Sequence, residues 1–291
     1  MLSGNLLWVL LGTMLLGIAA GITGTFSFLQ KQSLVGDAAA HAALPGIALA
    51  FLLTGQKELP VLMVGAAITS ALSVYCIQWI VTYSKLKADA AIGLVLAVFF
   101  GIGIVLLTIV NRSPLGNQSG LNDFIFGKAA TMTKADLTWL FISAAIIIIV
   151  SLLLYKEWKL MIFDPVYAKG IGLPIETLKA CLTALIVMTI VTGIQAVGVI
   201  LMSALLIIPA ASAKLWTKKL NTMLLFSGIA GGLAGVAGTY ISSLRTGLST
   251  GPIIVLFAAS IFFLSYIFSP KSGQLSKYLR KKKFQQQGDV S

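Results

Sequence analysis

An aspartate and the only histidine of the chain, Asp37 and His41, lie four residues apart in an otherwise apolar stretch. On an α-helix this spacing places both side chains on one face, one turn apart. Ionisable groups inside a membrane span cost on the order of 3 kcal/mol or more each, so they normally face a protein interior or a water-filled path and mark function. A carboxylate beside an imidazole suits Mn²⁺, Fe²⁺ or Zn²⁺, and the absence of a nearby thiolate or methionine cluster argues against Cu⁺. We therefore predict that Asp37 and His41 form a metal site.

Small residues and a proline surround this pair. Pro45 has no N–H group, so the carbonyl oxygen of His41 loses its usual helical partner, which predicts a kink or a freed ligand oxygen at Pro45 and Gly46. Gly36, Gly46 and the neighbouring alanines let helices approach closely in lipid, so this segment is expected inside a bundle. A second copy of the helix could then face the first across a twofold axis. Two carboxylates with two neutral imidazoles would neutralise a divalent cation.

The motifs of the common enzyme classes are absent from the sequence. A phosphate-binding GxxxxGK[ST] loop is missing, because Gly127 with Lys128 is followed by Ala129 and no glycine stands five residues before. A single histidine excludes HExxH, and no GxSxG elbow accompanies it. The chain is therefore not expected to be an enzyme. The remaining alternative for Asp37 and His41 is a contact within one helix that fixes its packing.

The composition predicts an all-α, polytopic membrane helical bundle. Of the 291 residues, 58% are hydrophobic and only 10% are charged, which a water-soluble domain of this size would not show. We expect one transmembrane domain at 1–270 and a basic cytoplasmic tail at 271–291. The net charge of +12 does not indicate nucleic-acid binding, because six basic residues concentrate in that tail. A basic segment directly after a hydrophobic span is typical of a contact with anionic membrane lipid.

Nine apolar runs are long enough to be helices that cross a bilayer. They lie at 6–28, 33–54, 59–81, 88–110, 136–155, 177–193, 195–216, 221–244 and 251–268. The forty residues at 177–216 exceed one crossing, and Gly193 is the predicted break. Either half of this pair could be re-entrant, so eight or nine crossings are expected.

The basic residues between these runs predict the orientation. With nine crossings, sixteen of the 21 Lys and Arg residues fall on the side of the C-terminus and five on the other side. Cytoplasmic loops carry the excess of positive charge. We therefore expect a cytoplasmic C-terminus and an external N-terminus.

The long connection on the cytoplasmic side contains the sequence FDPVYAKGIGLP. Asp164 and Pro165 are a good N-cap and first-turn pair, and the glycines with Pro174 make a good stop. We predict a helix of about two turns that receives force from a motor subunit; the alternative is an ordinary capped loop helix. The residues assigned to this ATPase-coupling loop are Asp164, Pro165, Ala168, Gly170, Gly172 and Pro174.

Two further segments carry weaker expectations. Gln195 is placed near the start of a helix, where it could support a metal ligand from behind or bind helix backbone. On the external side, the loop at 111–134 contains the amphipathic patch LNDFIF, which could be where a delivery protein docks or an ordinary interfacial loop.

Three stretches resemble the manganese/zinc/iron permease family of ATP-binding-cassette importers. They are GTFSFLQKQSLVGDAAAHAALPGIALAF, GVILMSALLIIPAASA and DPVYAKGIGLP, and the resemblance covers essentially the whole chain. It implies a permease that dimerises with a second copy or a paralogue in the plasma membrane of a bacterium. It also implies two cytoplasmic ATPase subunits, which the DPVYAKGIGLP segment would contact. An extracellular metal-binding lipoprotein or periplasmic protein would deliver the ion.

The same resemblance places Asp37 and His41 on the ion path. Members of the family divide among manganese, zinc and iron, and a version without extra histidines is nearer to the manganese branch. The metal is cargo, and no permanently bound cofactor is implied. The alternative from another class is a secondary metal transporter or channel that works without ATP.

Overall fold

The computed structural model describes residues 4–55, 58–112, 132, 134–244, 249–270 and 273–274. Throughout these residues the regular elements are α-helices, so the predicted all-α bundle is confirmed. The helices, in chain order, are α1 Gly4–Leu29, α2 Ser33–Thr54, α3 Leu59–Tyr83, α4 Ala88–Arg112, α5 Lys134–Leu153, α6 Tyr155–Phe163, α7 Pro165–Gly170, α8 Ile175–Val197, α9 Val199–Trp216, α10 Leu220–Ser243 and α11 Thr250–Phe268.

Eight helices of the described residues are long and apolar enough to cross a membrane: α1 to α5, α8, α10 and α11. The ninth, α9, has 18 residues and a mostly apolar sequence, VILMSALLIIPAASAKLW. At 1.5 Å per residue it is about 27 Å long, close to the thickness of a hydrocarbon core. Length alone therefore leaves open whether α9 crosses.

The direction of α10 relative to α1 answers this question. Along the contact between them, Thr13 meets Thr239 and Gly21 meets Ser227, so the two helices run in opposite directions. If α9 crosses, α10 is the eighth crossing and must run opposite to the first; if α9 does not cross, α10 would run parallel to α1. Among the helices that the structure describes, the contacts therefore indicate nine crossings.

The break between α8 and α9 lies at Gly198, so the prediction of Gly193 was wrong. Gly198 has φ of +91°, a conformation that residues with a Cβ rarely adopt, and it separates Val197 from Val199. Gly193 is inside α8, where an added Cβ would collide with the side chain of Met202 on α9. Its small size lets the two helices approach, which is why a glycine there does not end the helix.

Two short helices, α6 and α7, join α5 to α8 at one end of the bundle. Trp158 of α6 is completely buried. Its ring meets Phe26 of α1 edge-on at a centroid distance of 5.0 Å. Its Nε1 donates a hydrogen bond to the carbonyl oxygen of Leu178 in α8 at 3.2 Å. One side chain thus fixes α6 to two membrane helices.

Nine crossings place the two termini on opposite sides of the membrane, with the C-terminus expected inside. A fluorescent protein fused to the C-terminus should fluoresce in cells, whereas a protease site added before residue 1 should be cut by protease outside intact cells or spheroplasts. The same C-terminal fusion, treated with the external protease, serves as the control for membrane integrity. Termini on the same side would contradict the crossing by α9.

Candidate functional site

The structure brings Asp37 and His41 together on α2, as predicted. Nε2 of His41 lies 3.5 Å from Oδ1 of Asp37, and their side chains are 16% and 30% exposed, respectively. The distance is long for a strong hydrogen bond but short enough for both groups to bind one ion. The two side chains therefore form a half-buried pair of potential ligands.

His41 is held from one side by an aromatic ring of α4. The Phe100 ring meets the imidazole edge-on, with 5.0 Å between the ring centroids. Nδ1 of His41 is buried and has no hydrogen-bond partner among the described residues. An unsatisfied buried acceptor or donor costs about 1–3 kcal/mol. The imidazole is thus positioned by packing, while one of its nitrogens is left unused by the protein.

The turn after His41 is packed too tightly for larger side chains. An added Cβ at Gly46 would collide with the backbone oxygen of Gly65 in α3, and one at Gly103 of α4 would lie 2.9 Å from Cδ of Pro45. Pro45 is buried within α2, which remains one helix from Ser33 to Thr54. Pro45 and Gly46 therefore set the distance between α2 and its two neighbours, and their predicted gating role stays a prediction.

A hydrogen bond between helices supports the same region. The hydroxyl of Ser70 in α3 donates to the carbonyl oxygen of Ala39 at 2.7 Å, and both residues are buried. Ala39 lies between Asp37 and His41 in the chain. Ser70 therefore ties the turn that carries the ligand pair to α3.

The pair lies on a partly exposed side of α2. Leu49, two turns after His41, is 41% exposed, whereas Pro45 between them is buried against α4. Most other positions of α2 are buried. Among the described residues there is no group of three or more His, Cys, Asp or Glu side chains that could hold a metal. Within the described residues, one chain therefore offers two partly exposed ligands and no closed cage.

The predicted coupling loop has the local structure expected from its sequence. Oδ1 of Asp164 accepts a hydrogen bond from the backbone N–H of Tyr167 at 3.0 Å, and Pro165 is the first residue of α7. Ala168 is fully buried and Gly170 ends the helix. Gly172 has φ of +82°, and Pro174 caps α8. The predicted N-cap and the predicted end of α7 are confirmed, whereas the predicted contact of this loop with an ATPase subunit remains a prediction.

α7 presents apolar side chains outward. Val166 is 82% exposed, and Tyr167, Phe163 and Ile171 are each more than half exposed. These residues lie beyond the ends of the membrane helices, where lipid would not cover all of them. This surface has the character of a contact site for another protein.

Two predictions fall partly or wholly outside the described residues. The backbone of Gln195 lies in the last turn of α8, so its placement near a helix start was wrong; its side chain is not among those described. The patch at 121–126 also lies outside the described residues. The roles suggested for both stay predictions.

Sequence reasoning missed Phe100 and Ser70. No motif marks either residue, because each acts through the way its helix is rotated against α2. Gly103 could have indicated that this part of α4 packs against another helix, because it is the small residue that lets α4 lie against Pro45. Phe100 lies one turn before it.

A family profile, two bacterial relatives and a solved structure each match nearly the whole of this chain. The sequence profile described as the ABC 3 transport family matches residues 3–269. The manganese transport system membrane protein MntC of Bacillus subtilis is 48% identical over 276 residues, which are 95% of this chain and 63% of that protein. The zinc transport system membrane protein TroC of Treponema pallidum is 42% identical over 275 residues, 94% of this chain and 92% of that protein. This chain thus spans less than two thirds of the Bacillus relative but nearly all of the Treponema one.

A solved structure has the same fold over almost the full length. It is PsaBC from Streptococcus pneumoniae in complex with Fab. The TM-score is 0.82 at 33% sequence identity, and the match covers 96% of this chain and 95% of that one.

The contact at Gly46 predicts a difference between two glycines of α2. Gly46→Ala should lower the free energy of unfolding by about 1–3 kcal/mol, because the methyl group would force α2 and α3 apart. Gly36→Ala is the matched control, since its Cβ would only touch Cδ1 of Leu206 at an ordinary 3.4 Å. Thermal unfolding in detergent measures both. Equal stability of the two variants would contradict the close packing described for Gly46.

Proposed function

This chain belongs to the ABC 3 transport family, and from that premise we propose that it is the membrane-spanning permease subunit of an ATP-driven importer for a divalent transition-metal ion. The observation that carries the proposal is the Asp37–His41 pair, with 3.5 Å between Oδ1 and Nε2 and both side chains partly exposed on a membrane helix. Two ionisable groups in a largely apolar helix are costly unless they serve a charged cargo.

Mn²⁺ is the favoured cargo. The Bacillus relative, at 48% identity, is named for manganese transport. A carboxylate oxygen with an imidazole nitrogen, without thiolates, is a donor set that Mn²⁺ accepts. Zn²⁺ is the second candidate, because the Treponema relative at 42% identity is named for zinc transport; Fe²⁺ fits the same donors.

A second permease, identical or paralogous, would complete the site. One chain supplies two ligands among the described residues, and they face outward from α2. A twofold partner would add a second carboxylate and imidazole, and the two carboxylates would balance the charge of the cation. An open, incomplete set in each chain also favours release, which transport requires.

ATP hydrolysis would take place on cytoplasmic ATPase subunits. The sequence has no phosphate-binding loop of its own, and α7 exposes Val166 and Tyr167 at the end of the bundle expected in the cytoplasm. An extracellular metal-binding lipoprotein or periplasmic protein would supply the ion. The complex would lie in the plasma membrane of a bacterium, with the C-terminus of this chain in the cytoplasm.

Replacement of the ligand pair tests the metal assignment. Asp37→Ala with His41→Ala should reduce uptake of radioactive Mn²⁺ by at least tenfold in cells that express the complete transporter, because the cation would cross an uncompensated apolar region. Asp89→Ala, which removes a carboxylate at the start of α4 away from the pair, is the control. Uptake equal to wild type at normal expression would remove the pair from the mechanism. Excess Zn²⁺ that blocks uptake more strongly than excess Mn²⁺ would favour the zinc alternative.

A charge on α7 tests the ATPase contact. Val166→Glu should prevent co-purification of the ATPase subunits and should reduce transport-coupled ATP hydrolysis, because a carboxylate would enter an apolar interface. Leu86→Glu, on an exposed residue of the α3–α4 connection at the same end of the bundle, is the matched control. Uptake by the purified chain alone in liposomes, without any ATPase, would instead identify a secondary transporter or channel.

A further inference from the structure

A long groove runs between α3 and α8, with the start of α2 and part of α5 along its sides. Its volume is about 1040 Å³. The facing walls carry small residues spaced four apart, Ala67 and Ala71 on α3 and Ala180 and Ala184 on α8. Alanines at this spacing line up along one face of each helix, so they leave a continuous channel. Neither Asp37 nor His41 lines it, so the groove is separate from the proposed metal site.

The two ends of the groove differ in chemistry. At the end near α7 it is lined by Lys31, Lys179 and Glu176, together with Gln32 and Gln78. Toward the other end, the lining from α8 is mostly apolar, with Val187, Met188 and Val191, and it includes Thr192. From Lys179 to Val191 the groove extends about 18 Å at 1.5 Å per residue. The groove therefore has two lysines and a glutamate at one end. Beyond them, from Ala184 to Val191, a mostly apolar stretch of about 11 Å could hold part of an acyl chain.

The two lysines are held at the mouth of the groove in different ways. Lys31 lies in the turn between α1 and α2, with φ of +59°, and the next N–H, of Gln32, donates to the carbonyl oxygen of Ser27 at 3.0 Å. Lys179 lies one turn into α8, with its Nζ 3.3 Å from Oε1 of Glu176. Glu176 is 88% exposed, so its pairing with Lys179 is weak in water and leaves the lysine able to bind a second anion.

From these features we propose that the groove binds one anionic phospholipid from the leaflet on the side of α7. Lys31 and Lys179 hold the headgroup phosphate, and an acyl chain lies along the alanines between α3 and α8. A water-soluble anion would leave the apolar length empty. A second copy of this chain is expected at the side of α2 that carries Asp37 and His41. At about 100° per residue that side is turned away from Val35, the α2 residue that lines the groove.

Photolabelling in lipid nanodiscs tests the headgroup site. The full chain is placed in bilayers of phosphatidylcholine and phosphatidylglycerol. In one sample the phosphatidylcholine carries a photoactivatable acyl chain, and in a second sample the phosphatidylglycerol carries it. We expect labelled peptides from α3 and α8, with phosphatidylglycerol favoured. Lys31→Gln with Lys179→Gln should lower that preference by about fivefold for each lysine removed. Lys85→Gln with Lys87→Gln, which removes equal charge at the same end without touching the groove, should leave it unchanged, and Glu176→Gln should raise it.

A second pair of variants tests the acyl-chain channel. Ala71→Leu with Ala184→Leu fills the groove and should abolish labelling of α3 and α8, while thermal unfolding reports that the chain remains folded. Equal labelling by both lipids in the unaltered chain would overturn the proposal. So would labelling that persists in the filled variant, or a crosslink from Ala71→Cys to another polypeptide. The experiment uses neither metal nor ATP, so its failure would leave the proposed transport function untouched.

Discussion

Close approach of helix backbones is the physical constraint on which the rest of this structure depends. In lipid, apolar side chains gain little by leaving their surroundings, so helices associate through packing and hydrogen bonds. Where Gly46 meets Gly65, α2 and α3 touch backbone to backbone, and Ser70 adds a hydrogen bond to the turn before His41. These contacts offset the cost of a helix that carries a carboxylate and an imidazole. They also bury most of α2, while the side chains of Asp37 and His41 stay partly exposed.

A second backbone contact between helices joins α1, near the start of the chain, to α10, near its end. Added Cβ atoms at Gly17 and at Gly231 would each collide with the backbone oxygen of the other glycine, so α1 and α10 are also in backbone contact. The hydroxyl of Ser227 donates to the carbonyl oxygen of Gly21, which closes the contact with a polar bond. The first and second halves of the chain are therefore joined through glycines. Four of the five glycines of the segment 227–240 lie against α1, and Gly238 lies against Ile254 of α11.

Local features of the sequence were enough to predict α2 and α7. The limits of α2 agree with the apolar run at 33–54, and Asp164 with Pro165 marks the start of α7, because caps depend on residues within one turn. The break between α8 and α9 could not be predicted in this way. Gly193 and Gly198 both interrupt the same apolar run, and the presence of Met202 against Gly193 decides between them. The contact of Phe100 with His41 likewise depends on how α4 is rotated, which no local pattern records.

The buried indole of Trp158 has a consequence for how movement would spread through the molecule. Trp158 packs against Phe26 of α1 and donates a hydrogen bond to the backbone of Leu178 in α8, so a tilt of α6 would also move α1 and α8. A force applied to the neighbouring α7 would therefore be transmitted to these two membrane helices. Since α1 and α10 are in backbone contact at Gly17 and Gly231, a displacement of α1 would also move α10.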